Sequence, residues 1–142
     1  MVKFFQAQQE EQIIKAIKAA ELNTSGEIRV HLDDKCRGNV RRVAIKTFHR
    51  LGMQKTAARN GILFFIAPDR KEFIILGDEG INQVVPENYW QDVRDVLQGH
   101  FREGNFAKGL VEGIGMVGEK LKSFFPYQSD DVNELPDDIS YS

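Results

Sequence analysis

Three short segments of the 142-residue chain concentrate the side chains with the most chemistry to offer: Thr24-Ser25-Gly26-Glu27, Arg59-Asn60-Gly61 and Gly77-Asp78-Glu79-Gly80-Ile81. Together they hold three carboxylates (Glu27, Asp78, Glu79), one arginine, one carboxamide, two hydroxyls and four glycines. Carboxylates are the hard oxygen ligands that Ca²⁺ and Mg²⁺ require, and glycines let backbone groups approach an ion closely. A divalent ion held by Glu27, Asp78 and Glu79 would clamp a phosphoryl oxygen or activate water. Arg59 is suited to pair with a phosphate through two parallel hydrogen bonds, which makes Arg59 and Asp78 the candidate catalytic pair. Ser25, Gly26, Asn60 and Gly77 complete the candidate ligand-binding set. A plainer reading stands beside this one: Arg59 bridges Glu27 or Asp78, and the glycines serve turns. No nucleophilic triad can be assembled, because Thr24 and Ser25 have no nearby histidine base.

These segments form a site only if the fold gathers them. From Gln8 to Leu22, Ile13, Ile14, Ile17 and Ala20 recur at helical spacing, and Asn23-Thr24-Ser25-Gly26 stops the helix. Glu27 to Leu32 alternates with period two and reads as a strand with one packed face. A second helix from about Val40 to Leu51 has an inner stripe of Val40, Val43, Ala44, Phe48 and Leu51. The apolar run Gly61 to Ala67 reads as a strand buried on both faces. Pro68-Asp69-Arg70-Lys71 then turns the chain into a strand from Glu72 to Leu76, giving a hairpin. Pro86 fits the first turn of a third helix with Trp90, Val93, Val96, Leu97 and Phe101 inward, and Gly104 ends it. Asn105 is placed to cap a fourth helix, with Phe106, Leu110, Ile114, Val117, Leu121 and Phe124 facing the core and Pro126 marking its end. Gly109 and Gly113 on that helix read as points of close packing.

Strands joined through a helix are normally parallel, and a tight hairpin is antiparallel. The starts of the first and second strands and the end of the third should therefore share one edge of the sheet, the edge that carries all three segments. Asp33, Asp34 and Asp69, at the opposite edge, read as solvated turn residues. His31, His49 and His100 have no metal-ligand spacing. Cys36 reads as a surface thiol that cannot form an internal disulfide, and Trp90 as core.

The formal charge of −2 hides segregation: eight Lys or Arg and no acid lie between Lys35 and Asn60, while the segment from Ser129 onward is acidic with no base. The near balance argues against a general polyanion binder, and nucleic acid is not the expected partner, since no nucleic-acid motif or exposed aromatic accompanies the basic helix. The size is that of one domain, no segment is apolar enough to span a bilayer, and the N-terminus has no apolar signal core. A cytoplasmic chain is expected, a monomer by default, with an acidic tail over 127–142 that is mobile at its tip and contacts the basic helix.

Taken in order, Thr24-Ser25-Gly26-Glu27-Ile28-Arg29-Val30, the Arg59-Asn60-Gly61 lead into an apolar strand, Gly77-Asp78-Glu79-Gly80-Ile81, Trp90, Phe101-Arg102-Glu103-Gly104-Asn105, Gly109-Leu110 and Gly113-Ile114 resemble the TPM domain family. The tail resembles that of soluble, stand-alone bacterial members. The resemblance implies an α/β fold over residues 1–126, a three-layer α/β/α sandwich similar to a Rossmann fold with a small mixed sheet. It also implies acidic loops that hold a divalent cation, often calcium, and acid-phosphatase-like activity as in plant members. Carried onto this chain, the loop positions are Glu27, Arg59, Asn60, Asp78 and Glu79. The leading expectation is a cation-binding protein, with metal-assisted phosphomonoesterase action on a phosphorylated small molecule if it is an enzyme. The alternative is a non-catalytic module whose basic helix binds an acidic protein or a membrane surface.

Overall fold

The fold is that of a computed structural model, which describes residues 4–127 and 137–142. Helix α1 spans Ala7–Glu21, strand β1 Glu27–Leu32, helix α2 Val40–Arg50, strand β2 Gly61–Ala67 and strand β3 Glu72–Gly77. A short helix α3 covers Glu79–Asn82, followed by α4 over Gln91–Arg102, α5 over Phe106–Leu121 and a two-residue strand β4 at Ser140–Tyr141. The protein is a mixed α/β fold with one four-stranded sheet ordered β3-β2-β1-β4. Its chain forms two compact units, Met1–Gly26 with Pro86–Val132, and Glu27–Val85 with Asn133–Ser142.

The second unit contains the sheet. β1 and β2 run parallel with Glu27 opposite Gly61, and β2 and β3 run antiparallel with Ile62 opposite Gly77, as a helical crossover and a tight hairpin require. Every residue of β2 is buried, so its unbroken apolar run reflects a strand covered on both faces. Leu63, Phe65 and Ala67 on one face of β2 pack with Val40, Ala44 and Phe48 of α2. Asn39 starts α2 by accepting a hydrogen bond from the Arg42 backbone N–H at 3.0 Å. The hairpin closes through a 3-10 turn at Pro68–Arg70 and a left-handed Lys71, φ 55°. Cys36 is not a surface thiol: it lies 5 % exposed in the core beneath α2, and burial, helped by Asp33, raises its pKa.

The tip of the acidic segment is also placed differently from expectation. Ser140 and Tyr141 pair in parallel with His31 and Leu32, and the Ser142 N–H donates to the Leu32 carbonyl at 2.9 Å. Apolar alternation is too short there to announce a strand; the pairing is instead secured by His31. Its ring stacks on Phe65, and its Nδ1 and Nε2 lie 2.6 Å and 2.7 Å from the hydroxyls of Ser140 and Ser142. Contact between the basic helix and residues 129–136 lies outside the described residues.

The first unit consists of α1, α4 and α5. Ile13, Ile17 and Ala20 of α1, Val93 and Leu97 of α4, and Leu110, Ile114, Val117 and Leu121 of α5 are its buried positions. A Cβ added at Gly109 would lie 3.0 Å from the His100 Cβ, so this glycine lets α5 approach α4. Gly118 is tighter still, with an added Cβ 2.9 Å from that of Ala20 on α1. Pro86 precedes the third long helix instead of opening it, and the buried Trp90 occupies the N-cap position. Asn105 makes no side-chain cap, Phe106 is half-buried, and Phe124 is 40 % exposed. Trp90 is core as expected, and half-buried Tyr89 packs edge-on against Trp90 and Phe124 and donates its hydroxyl proton to the Lys120 carbonyl.

Candidate functional site

The start of β1, the start of β2 and the end of β3 lie side by side at one end of the sheet. Gly61 is the hinge of this arrangement, opposite Glu27 in the register while its carbonyl accepts the Asp78 N–H at 2.9 Å. On its other side, the Asn60 carbonyl accepts the Glu27 N–H at 3.2 Å. Glu27, Asn60 and Asp78 are all buried here.

Asp78 is the N-cap of α3, its Oδ1 accepting the Glu79 N–H at 2.8 Å. The same carboxylate receives Arg59 Nη2 on Oδ1 at 2.9 Å and Arg59 Nε on Oδ2 at 2.7 Å. A third guanidinium nitrogen, Nη1, donates to Glu79 Oε1 at 3.1 Å. Two carboxylates therefore converge on one cation, and formally the three groups keep one net negative charge. The hydrogen bonds to Asp78, more than its charge, push the Arg59 pKa above the usual arginine value. Asp78 is only 6 % exposed at its side chain, whereas Arg59 and Glu79 are open to solvent at 37 % and 60 %.

The Arg59 backbone is held in the left-handed region, φ 50°, an uncommon conformation for a residue with a side chain. The loops impose it. The Arg59 N–H donates to the Thr56 carbonyl at 3.2 Å, the Asn60 N–H to the Thr56 hydroxyl at 3.2 Å, and the Gly80 N–H to the Arg59 carbonyl at 2.9 Å. A Cβ at Gly80 would lie 2.2 Å from the Ala58 carbonyl oxygen, so only glycine lets the α3 loop close against residues 58–59. Thr56 and Gly80 are thus positioning residues that sequence reasoning did not single out as site residues. Gly80 had a legible signal in its Gly-Asp-Glu-Gly setting; Thr56 had none, since its role depends on a turn.

Of the sequence-predicted residues, Arg59, Asp78 and Glu79 meet directly, and Gly77 supports them by accepting the Asn82 side-chain amide at 3.0 Å on its carbonyl. Ser25 and Gly26 belong to the helical unit, where the Ser25 N–H donates to the Phe125 carbonyl at 2.8 Å and the Gly26 N–H to the Thr24 hydroxyl at 3.1 Å. The Arg59–Asp78 bridge is the plainer of the two arrangements the sequence allowed. Hard oxygen donors converging on one positive charge match the chemistry of a hard cation. Yet among the described residues no three His, Cys, Asp or Glu side chains are grouped as around a metal ion, and the cation that Asp78 and Glu79 hold is the Arg59 guanidinium. No helix among the described residues is long and apolar enough to cross a membrane.

Comparison with known proteins shows that the fold is shared. The BA42 protein from the psychrophilic bacterium Bizionia argentinensis, solved by NMR, is similar at 44 % identity and TM-score 0.95, covering 100 % of this chain and 98 % of that one. The N-terminal domain of a P. gingivalis protein has 23 % identity and TM-score 0.68, covering 85 % of this chain and 78 % of that one. That of the cg2496 protein from Corynebacterium glutamicum has 12 % identity and TM-score 0.65, covering 96 % and 80 %. These last two share the fold. None of the curated proteins compared with the chain matches it. The family model of the TPM domain matches residues 1–120, and the chain belongs to the TPM domain family.

Proposed function

We propose that the Asp78 end of the sheet binds a divalent cation, Ca²⁺ in the first place and Mg²⁺ as the alternative, by exchange for the Arg59 guanidinium. The observation that carries this reading is the convergence of Asp78 and Glu79 on a single cation that is itself open to solvent. A hard divalent ion carries twice the charge of arginine and favours carboxylate oxygen. Asp78 and Glu79 are the residues that would hold it, with Glu27 at the adjacent strand start.

Weak phosphomonoester hydrolysis is the finer activity of this reading. A bound ion supplies positive charge for a phosphoryl oxygen. Arg59, released from Asp78, keeps the planar fork of donors that orients a phosphate. Asp78, already fixed by the Glu79 N–H, stays in place while Arg59 changes partner.

Amide NMR during Ca²⁺ titration tests the binding. Shifts confined to residues 56–61 and 77–82, lost in Asp78→Ala and reached at lower Ca²⁺ in Arg59→Gln, are expected. Amides in those segments that do not respond to either ion would remove the proposal. Turnover of p-nitrophenyl phosphate that depends on the ion and fails in Arg59→Gln would add the catalytic step; binding without turnover would limit the protein to a cation-binding role.

A further inference from the structure

The solvent face of α2 is made of Arg41, Arg42, Ile45, Lys46, His49 and Arg50, all exposed. None of its four Arg and Lys side chains pairs with an acid among the described residues. Two independent features make this face unfavourable for the helix that carries it. Arg42, Lys46 and Arg50 stand four residues apart, so like charges repel along one ridge. Arg41 and Arg42 lie in the first turn, which holds no acid, where the helix dipole disfavours cations. The helix forms because Val40, Ala44 and Phe48 bury its other side. The dipole favours Arg50 in the last turn, but no acid among the described residues pairs with the cationic side.

We infer that this face docks on an anionic phospholipid surface, with the cations over the headgroups and Ile45 as the single apolar contact. Charge complementarity carries the assignment. The face presents four Arg and Lys cations, the His49 imidazole and one apolar residue, 41 % exposed, and no carboxylate, carboxamide or hydroxyl that would set register against a folded partner. A protein interface would call for a larger apolar centre with mixed donors and acceptors around it. Single-stranded nucleic acid would call for a series of exposed aromatics to stack on, and α2 exposes only the His49 imidazole. A laterally smeared negative charge asks only for clustered Lys and Arg on a helix, and exposed Lys35 and Arg37 extend the cluster just before α2.

Co-sedimentation of the full chain with phosphatidylcholine vesicles, with and without phosphatidylserine, tests this. EDTA throughout keeps the outcome separate from the cation site. Binding only to phosphatidylserine vesicles, weakening as salt rises, is expected. Each neutralised cation should cost about fivefold, so the combined Arg42→Gln, Lys46→Gln and Arg50→Gln variant should lose on the order of 100-fold in affinity. The same variant should melt no lower than the parent, because the repulsive ridge is gone, which separates lost docking from lost folding. No phosphatidylserine-dependent sedimentation, or sedimentation that the triple variant retains, would overturn the inference. So would capture by an acidic peptide or an RNA oligonucleotide without vesicle binding.

Discussion

Arg59 and Asp78 are joined by two hydrogen bonds, Nε to Oδ2 at 2.7 Å and Nη2 to Oδ1 at 2.9 Å, across the gap between the loop before β2 and the loop after β3. The pair ties together segments nineteen positions apart in sequence. Lysine at position 59 would place a point charge where the planar fork now sits. Arg59→Lys is expected to speed hydrogen exchange at the Gly80 N–H, which bonds the Arg59 carbonyl. Arg59→Gly, which accepts φ 50° without strain, should keep the loop backbone and lose the bridge, and exchange at Gly80 separates the two effects.

Acid should weaken the protein through His31. His31 is 1 % exposed, and burial, then Arg50 and Arg29, lower its pKa from 6.5 to about 4. Above pH 6.5 it is neutral folded or unfolded. As pH falls from 6.5 towards 4 the unfolded chain binds a proton that the folded chain refuses, so stability declines across that window by about 3 kcal/mol. Urea unfolding midpoints between pH 7.5 and 4 should show this slope, and His31→Gln should flatten it.

The clasp of His31 on the last strand gives a second measurement. Ser140→Ala with Ser142→Ala removes both hydroxyl partners and leaves a buried imidazole short of hydrogen bonds, at a cost of about 1–3 kcal/mol. The Ser142 N–H, bonded to the Leu32 carbonyl, should then exchange much faster while the β2 amides keep their protection. Equal protection in parent and variant would show that backbone pairing alone holds β4.

Two kinds of glycine should respond oppositely to alanine. Gly80→Ala drives a Cβ to 2.2 Å from the Ala58 carbonyl and Gly118→Ala to 2.9 Å from Ala20, and each is expected to cost about 1–3 kcal/mol by overpacking. Gly115, inside α5, has nothing within 4 Å of an added Cβ, so Gly115→Ala should stabilise by about 0.5–1 kcal/mol. Thermal melting orders the three variants.

Cys36 should react slowly. It is 5 % exposed with a raised pKa, so little thiolate meets the reagent. A disulfide reagent at pH 8 should label it only at the rate of local opening, and denaturant should release full reactivity.

Period and punctuation in the sequence determined most of the scaffold. The alternation of Glu27 to Leu32 and the unbroken run of Gly61 to Ala67 set the bounds of β1 and β2 to the residue, but β1 is not the one-faced strand its alternation predicts, since Glu27 and His31 on its polar face are buried as well. Chain topology then fixed that Glu27, Arg59 and Asp78 share one sheet end, since parallel crossover and hairpin admit no other arrangement. The partners within that end were decided by tertiary structure. That Arg59 takes Asp78 depends on its left-handed backbone, on Thr56 and on the glycine at 80, each a matter of loop geometry that composition does not encode. The same holds for the far end of the chain. Acidic, short and without periodicity, residues 137–142 gave no strand signal, and they pair with β1 because a buried histidine there has two hydrogen bonds to satisfy.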